Sequence, residues 1–244
     1  MPVNMDEMWG WDWLGEVFAL PAEVRDRMAR HWGLVRMRRE AGRLTAVEGE
    51  EAIRRHYAES LELLRLAEGR LASGAAVRYA DVGTGGGWPG LVVALARPAW
   101  EVHLIEPLQK RARFLEGAAR ELGCGNVTVH AIRAEEAGRG SLRERCDLVT
   151  ARAVAELRVV LEYAAPLAAV GGLVALPKGS RLEGELAEAG EAMAMLGCEL
   201  LGVEPMRAEV SASVRVALLR KGRACPEGFP RRPGTPERRP IGAG

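Results

Sequence analysis

Residues 77–90 read Val-Arg-Tyr-Ala-Asp-Val-Gly-Thr-Gly-Gly-Gly-Trp-Pro-Gly: a short apolar run that empties into a glycine-rich turn. Glycine tolerates backbone conformations that side chains forbid, and it lets main chain come close to a ligand. A strand, a Gly-rich turn and then a helix N-terminus form a nucleotide-type cradle at the edge of an α/β sheet. Glu106 stands at the end of the next apolar run. A ribose-binding carboxylate is expected there, about 20 residues after the turn. The turn therefore points to a ligand carrying an adenosine.

Two such ligands compete. Gly85, Gly87 and Gly90 match G-x-G-x-x-G, the dinucleotide signature. In that fold the first glycine closes the strand, and here the strand closes at Gly83. Counted from Gly83, the third glycine position holds Trp88, which is too large for close helix–strand packing. Asp81 precedes the turn; its carboxylate would repel a pyrophosphate but could hold an ammonium group. S-adenosylmethionine has an ammonium, a sulfonium and no phosphate, so charge favours it. A nicotinamide dinucleotide, and with it an NAD(P)-dependent oxidoreductase, stays open on the G-x-G-x-x-G match.

From Ala76 onward strand and helix patterns alternate. Strands are predicted near 77–82, 101–106, 126–132, 146–150, 172–176, 199–204 and 213–220, and helices near 90–97, 108–122, 155–169 and 182–196. Such alternation implies a mostly parallel sheet covered on both faces. No helix pattern separates the last two strands, which predicts an antiparallel pair. Residues 14–72 show helical spacing, for example at Leu61, Leu64 and Leu66. The reading is thus an N-terminal helical extension over 1–73, a Rossmann-like α/β domain over 74–221 and a tail over 222–244. The tail is rich in Pro, Gly and Arg with almost no apolar residues, and is predicted to be disordered.

The formal net charge is +1, which argues against a uniformly basic coat. Arginines are concentrated at 25–43, and basic residues again at 220–244, each segment carrying a net +5. These flanks suit a polyanionic partner or are solvated surface. The four cysteines, at 124, 146, 198 and 225, are scattered without C-x-x-C or histidine spacing, so no zinc site is expected and reduced cytosolic thiols are. No apolar run approaches the roughly 20 residues of a membrane span, and the N-terminus is not a secretory signal. Trp9, Trp11 and Trp13 either cap the helical extension or stack on unpaired bases.

Four elements together carry a likeness: the Asp81–Gly90 turn, His56 in an upstream helix, Thr150-Ala151-Arg152-Ala153, and Leu176-Pro177-Lys178-Gly179. In order and spacing, over about residues 40–220, they resemble the bacterial 16S ribosomal RNA guanine-N7 methyltransferase family, also called glucose-inhibited division protein B. The resemblance implies a class I methyltransferase fold with a seven-stranded sheet and a reversed last strand. It implies S-adenosylmethionine as methyl donor, no metal, and as acceptor a guanine in the 530-loop region of 16S ribosomal RNA or the small ribosomal subunit. By position it implies Gly83 and Trp88 in the cofactor turn, Glu106 on the ribose, Ala134 and Glu135 beside the adenine, Arg152 in the active site and His56 near substrate or cofactor.

Guanine N7 has a free lone pair and no proton, so its methylation needs no general base. Positioning can carry the catalysis, and donors to O6 and the phosphates suit the substrate. Arg152 and Lys178 each follow a strand and reach the ligand-binding edge, so both are candidate catalytic residues, with His56. Asp81, Gly83 and Gly85 belong to the candidate cofactor turn. Arg133, Lys178 and Arg215 are candidate RNA contacts. The expected protein is a cytoplasmic monomer that needs no obligate protein partner. A third reading is a non-catalytic RNA-binding protein on the same fold; the intact turn and Glu106 speak against decay.

Overall fold

The computed structural model describes residues 5–37, 44–71 and 76–243. Seven strands form one sheet: β1 (Arg78–Val82), β2 (Glu101–Ile105), β3 (Val127–His130), β4 (Cys146–Ala151), β5 (Ala168–Lys178), β6 (Cys198–Pro205) and β7 (Arg215–Lys221). Their spatial order is β3-β2-β1-β4-β5-β7-β6. The first five strands run parallel, whereas β7 runs antiparallel to both β5 and β6. The predicted class I methyltransferase sheet, with its reversed last strand, is the one observed. The order turns back between β1 and β4, so the carboxyl ends of these two strands flank the crevice where α/β sheets bind ligands.

Both faces of the sheet are covered. On one side lie α1 (Met5–Val17), α2 (Ala22–Met37), α4 (Glu59–Glu68), α5 (Gly90–Ala96) and α6 (Gln109–Glu121). Short α3 (Gly49–Ala52) runs into a π-helical turn (Ile53–Ala58) and then into α4 without a break. The described part of the extension shares its core with the sheet: Trp11, Trp32, Tyr57 and Leu64 pack with Leu91, Leu104 and Leu173. Of the two uses considered for the tryptophans, Trp11 takes the packing one, edge-on to Tyr57 at 4.8 Å. On the other side lie α7 (Ala134–Ala137), α8 (Leu157–Ala164), α9 (Leu182–Glu188), α10 (Gly190–Leu196) and α11 (Thr235–Arg238). Among the described residues no helix is long and apolar enough to cross a membrane.

Helix α8 is shorter than predicted and β5 longer. Ala165 makes the last helical bond, to the Leu161 carbonyl; Pro166 has no N–H to continue the ladder, so the chain leaves the helix and is already extended at Ala168. The arginines of 25–37 are also less free than their charge suggests. Arg27 donates to the Leu122 carbonyl and Arg30 to that of Glu121, capping the end of α6, while Arg25 pairs with Asp12. Arg38, Arg39 and Arg43 lie outside the described residues.

The largest departure is the tail. Residues 222–243 are packed against the domain instead of disordered. Their low apolar content misleads because polar contacts hold them. Arg143 donates to the carbonyls of Cys225, Pro226 and Phe229, and Arg139 to that of Pro230. Arg231 grips the fully buried Glu162 with Nε and Nη2, closest at 2.5 Å. Lys221 is buried and donates to Glu144, the Ala165 carbonyl and Cys225 Sγ. Cys225 and Ile241 fill apolar sites on the same face.

Candidate active site

The Gly-rich turn is built by three close approaches, at Gly83, Gly86 and Gly87. Gly83, Gly85 and Gly87 have φ of +69°, +58° and +105°, a region costly for residues with a Cβ. A Cβ on Gly83 would lie 2.9 Å from Val154, and one on Gly87 2.7 Å from Leu91. On Gly85 it would meet nothing closer than the Gly83 carbonyl at 3.9 Å, so this main chain opens outward. Trp88 folds back over Gly86, where a Cβ would strike its ring. Glu106 braces the turn from β2: its Oε2 accepts from Gly85 N–H and its Oε1 from Leu108 N–H, each at 3.0 Å. Two carboxylate lone-pair positions then remain for a diol, so Glu106 fits the ribose role.

Asp81 does not face a ligand. It is fully buried; Oδ2 accepts from Gly90 N–H at 2.9 Å and Oδ1 from the Thr150 hydroxyl at 3.0 Å. The expected hold on an ammonium group is replaced by an internal tie between β1, β4 and α5. Burial pushes its carboxyl up to about 6, against the two hydrogen bonds it accepts and the Arg152 charge. Because the folded value lies above the ordinary one of 3.8, its protonated form stabilises the fold, and that contribution is lost as pH rises through 6. In Asp81→Asn one amide oxygen can still accept from Gly90. Between pH 4 and 7 the wild type is expected to lose about 2–3 kcal/mol relative to this variant. Urea midpoints of both proteins at the two pH values measure this; parallel pH curves would refute it.

Beside the turn lies an aromatic and cationic cluster that the linear spacing does not reveal. His56, in the π-helical turn, stacks on Trp88 with ring centroids 4.0 Å apart and planes 15° apart. Arg152 Nη2 donates to His56 Nδ1 at 2.9 Å, and its Nη1 donates to the Arg55 carbonyl at 2.6 Å. His56 must then carry its proton on Nε2, which donates to Thr45 Oγ1 at 2.7 Å. Burial, with Arg152 and Arg55 nearby, lowers His56 to about 3, so it stays neutral. His56 and Trp88 are buried, and their contacts orient Arg152 and shape the turn. π-Helical turns are frequent at functional sites.

His31, given no role by the sequence reading, belongs to the same construction. Its Nε2–H donates to the Gly86 carbonyl at 2.9 Å, and Nδ1 accepts from the Tyr57 hydroxyl at 2.9 Å. The signal available was its place on the apolar stripe of α2 with Met28 and Val35, which marks a core histidine and says nothing of its target.

Beside the turn is a cavity of about 100 Å³, lined by Val82, Gly83, Ile105, Pro107, Arg133, Ala134, Glu135 and Val154, among others. The candidate cofactor residues Gly83, Ala134 and Glu135 thus line one cavity, and Arg133, read from the sequence as an RNA contact, lies on the same lining. Glu135 is only in part free for it, since Oε1 accepts from the Gly234 N–H. Lys178 and Arg215 are opposite each other on β5 and β7. Neither is free: Lys178 donates to Glu185 at 2.7 Å and to the Ala155 carbonyl, and Arg215 pairs with Glu183. Both cations are thus held by carboxylates of α9, a contact that strand spacing alone could not show.

The arrangement has relatives. A family model described as GidB, rRNA small subunit methyltransferase G, matches residues 30–213. The ribosomal RNA small subunit methyltransferase G of Desulfitobacterium hafniense is 41% identical over 202 residues, 81% of this chain and 81% of its own. That of Carboxydothermus hydrogenoformans is 40% identical over 215 residues, 87% and 89% of the two chains. Among solved structures, a 16S rRNA (adenine(1408)-N(1))-methyltransferase variant from Catenulisporales acidiphilia shares the fold, with TM-score 0.52 and 19% identity over 67% of this chain and 93% of that one. A SAM-dependent methyltransferase from Aquifex aeolicus does so at TM-score 0.51 and 16% identity, again over 67% and 93%. A family model that spans most of the sheet and the helices above it, with relatives this similar over more than four-fifths of the chain, leaves one assignment: the chain belongs to the GidB family, rRNA small subunit methyltransferase G.

Proposed function

We propose that this protein transfers a methyl group from S-adenosylmethionine to N7 of a guanine in the 530-loop region of 16S ribosomal RNA, acting as a cytoplasmic monomer without a metal. The observation that carries the reading is the juxtaposition of the outward-opening turn at Gly83–Gly85, braced by Glu106, with the Arg152–His56–Trp88 cluster at the same sheet edge. S-adenosylmethionine, when bound, supplies an electrophilic methyl group on a sulfonium. Gly83 and Gly85 allow main-chain approach to it, Glu106 receives its ribose hydroxyls, and Ala134 and Glu135 flank its base. Arg152, released from the Arg55 carbonyl, can donate to guanine O6 or an adjoining phosphate, which holds N7 in line without placing a charge on it. Arg133 suits phosphates, as would Arg215 once it leaves Glu183, and such contacts make RNA binding fall with salt.

Lys178 acts in this scheme through the segment it holds. Its bond to the Ala155 carbonyl ties the chain that follows Arg152 to α9. Lys178→Ala is expected to lower the rate of methyl transfer about 10- to 100-fold, because small misplacements of a positioning group cost that much. Cofactor affinity should change less than threefold, well below the loss for removing a ligand contact. Isothermal titration beside single-turnover kinetics separates the two, and equal losses in both would refute the positioning role.

A dinucleotide fits less well. The first N–H of α5, at Gly90, already donates to the Asp81 carboxylate, so the anion-binding end of that helix is taken by an anion of the protein itself. The test of the function is transfer of a labelled methyl group to small-subunit RNA, naked and in particles, with mapping of the modified base. Label on one guanine whose strand cleaves as N7-methylated guanine does is the expected result. Label on another base atom, or none despite cofactor binding, would overturn the assignment of the acceptor.

A further inference from the structure

The C-terminal segment lies beyond the residues that the family model matches, yet it reaches the adenosine end of the cleft. Gly234, with φ +75°, donates its N–H to Glu135 Oε1 at 2.8 Å and starts α11. Glu237, in α11, accepts from the Tyr163 hydroxyl at 3.1 Å through Oε1. Glu237 and Tyr163 line the same cavity as Gly83, Ile105 and Val154. The grip of Arg231 on Glu162 and the burial of Pro236 hold α11 in place.

We propose that residues 222–243 form the closing wall of the cofactor pocket, and that Glu237 accepts a hydrogen bond from the exocyclic amino group of adenine there, making it a specificity-determining residue. This rests on the S-adenosylmethionine reading above. The chemistry of the lining supports it. Ile105, Pro107 and Val154 offer apolar surface to a flat heteroaromatic ring. Glu237 presents an acceptor whose first oxygen is oriented by Tyr163 and whose second is left for a donor. Glu135 beside it has its Oε1 engaged by Gly234, so the tail both supplies one carboxylate and occupies part of the other. A wall of acceptors selects a ring that carries an amino group over one that carries a carbonyl, which would leave the carboxylate unpaired.

The test uses the full chain, with S-adenosylhomocysteine and its inosine counterpart, in which a carbonyl replaces the adenine amino group. The wild type is expected to bind the adenosine form at least about 10-fold more tightly, the size expected for a hydrogen bond to a charged group. In Glu237→Ala that preference collapses: S-adenosylhomocysteine weakens about 10-fold and the inosine form does not. Glu237 is solvent-exposed but accepts from the Tyr163 hydroxyl, so the melting midpoint of Glu237→Ala should fall slightly and that of Glu237→Gln, which keeps an acceptor there, should stay at the wild-type value. Glu237→Gln, which keeps the shape but presents an amide, should lose the preference as well. A preserved preference in both variants, or equal weakening of both ligands, overturns the role of Glu237 alone. Failure of the wild type to bind S-adenosylhomocysteine overturns the cofactor reading and this inference together.

Discussion

Gly90→Ala is expected to cost about 3–5 kcal/mol of stability and to abolish cofactor binding. Alanine is intrinsically better than glycine inside a helix by about 1 kcal/mol, so propensity alone predicts a gain. The surroundings decide otherwise. A Cβ at this position would lie 2.2 Å from Leu104 Cδ2, 2.9 Å from Asp81 Oδ2 and 3.0 Å from Thr84 Oγ1. Leu104 and Asp81 are fully buried and have no room to retreat. Moving α5 outward relieves the overlap only by breaking the Gly90 N–H bond to Asp81, which leaves a buried carboxylate short of a donor. Overpacking and that loss together exceed the propensity gain several-fold. Urea denaturation and calorimetric titration with S-adenosylhomocysteine give the answer; a variant as stable as the wild type would show that the turn is more compliant than its contacts indicate.

The second large effect is on acid stability. His31 and His56 are both neutral in the fold, lowered by burial to about 4 and about 3. Their folded values lie below the ordinary 6.5, so the stability they contribute is complete above that value and is lost as pH falls toward the folded values. From pH 7 to 5 the pair is expected to cost about 3–4 kcal/mol, opposed by about 1 kcal/mol from Asp81, whose shift has the other sign. The hydrogen bonds give the reason: protonated His31 could no longer accept from Tyr57, nor protonated His56 from Arg152. Since both rings support the turn, S-adenosylhomocysteine affinity should decline in the same pH window. His31→Gln, which retains a donor and an acceptor but no titrating ring, should show a pH-dependent loss smaller by about 2 kcal/mol. An identical loss in variant and wild type would assign acid sensitivity to other groups.

Much of the site was legible because local chemistry demanded it. Gly83, Gly85 and Gly87 had to be glycines to take positive φ, and Glu106 stood one β-α unit further on at the end of a strand. What was not legible depended on contacts between distant segments. Asp81 looked like a ligand for an ammonium group, since a carboxylate beside a Gly-rich turn reads that way in one dimension; that Thr150 and Gly90 would enclose it is a fact of β4 and α5 packing. Lys178 and Arg215 looked free until α9 brought Glu185 and Glu183 to them.

The sequence by itself determined the alternation of strands and helices, the glycine turn and the strand-end carboxylate after it, and the order of motifs that place this chain in its family. These are local properties: a period, a backbone angle, a spacing along one chain. The tertiary structure alone decided the course of residues 222–243. Low apolar content argued for disorder because hydrophobic burial is the usual compensation for ordering a chain. Here arginines up to 91 residues away capture backbone carbonyls of the segment, and its own Arg231 neutralises the buried Glu162 carboxylate of α8. Hydrogen bonds between segments far apart leave no periodic trace in a sequence, so the packed course of this segment becomes visible only in three dimensions.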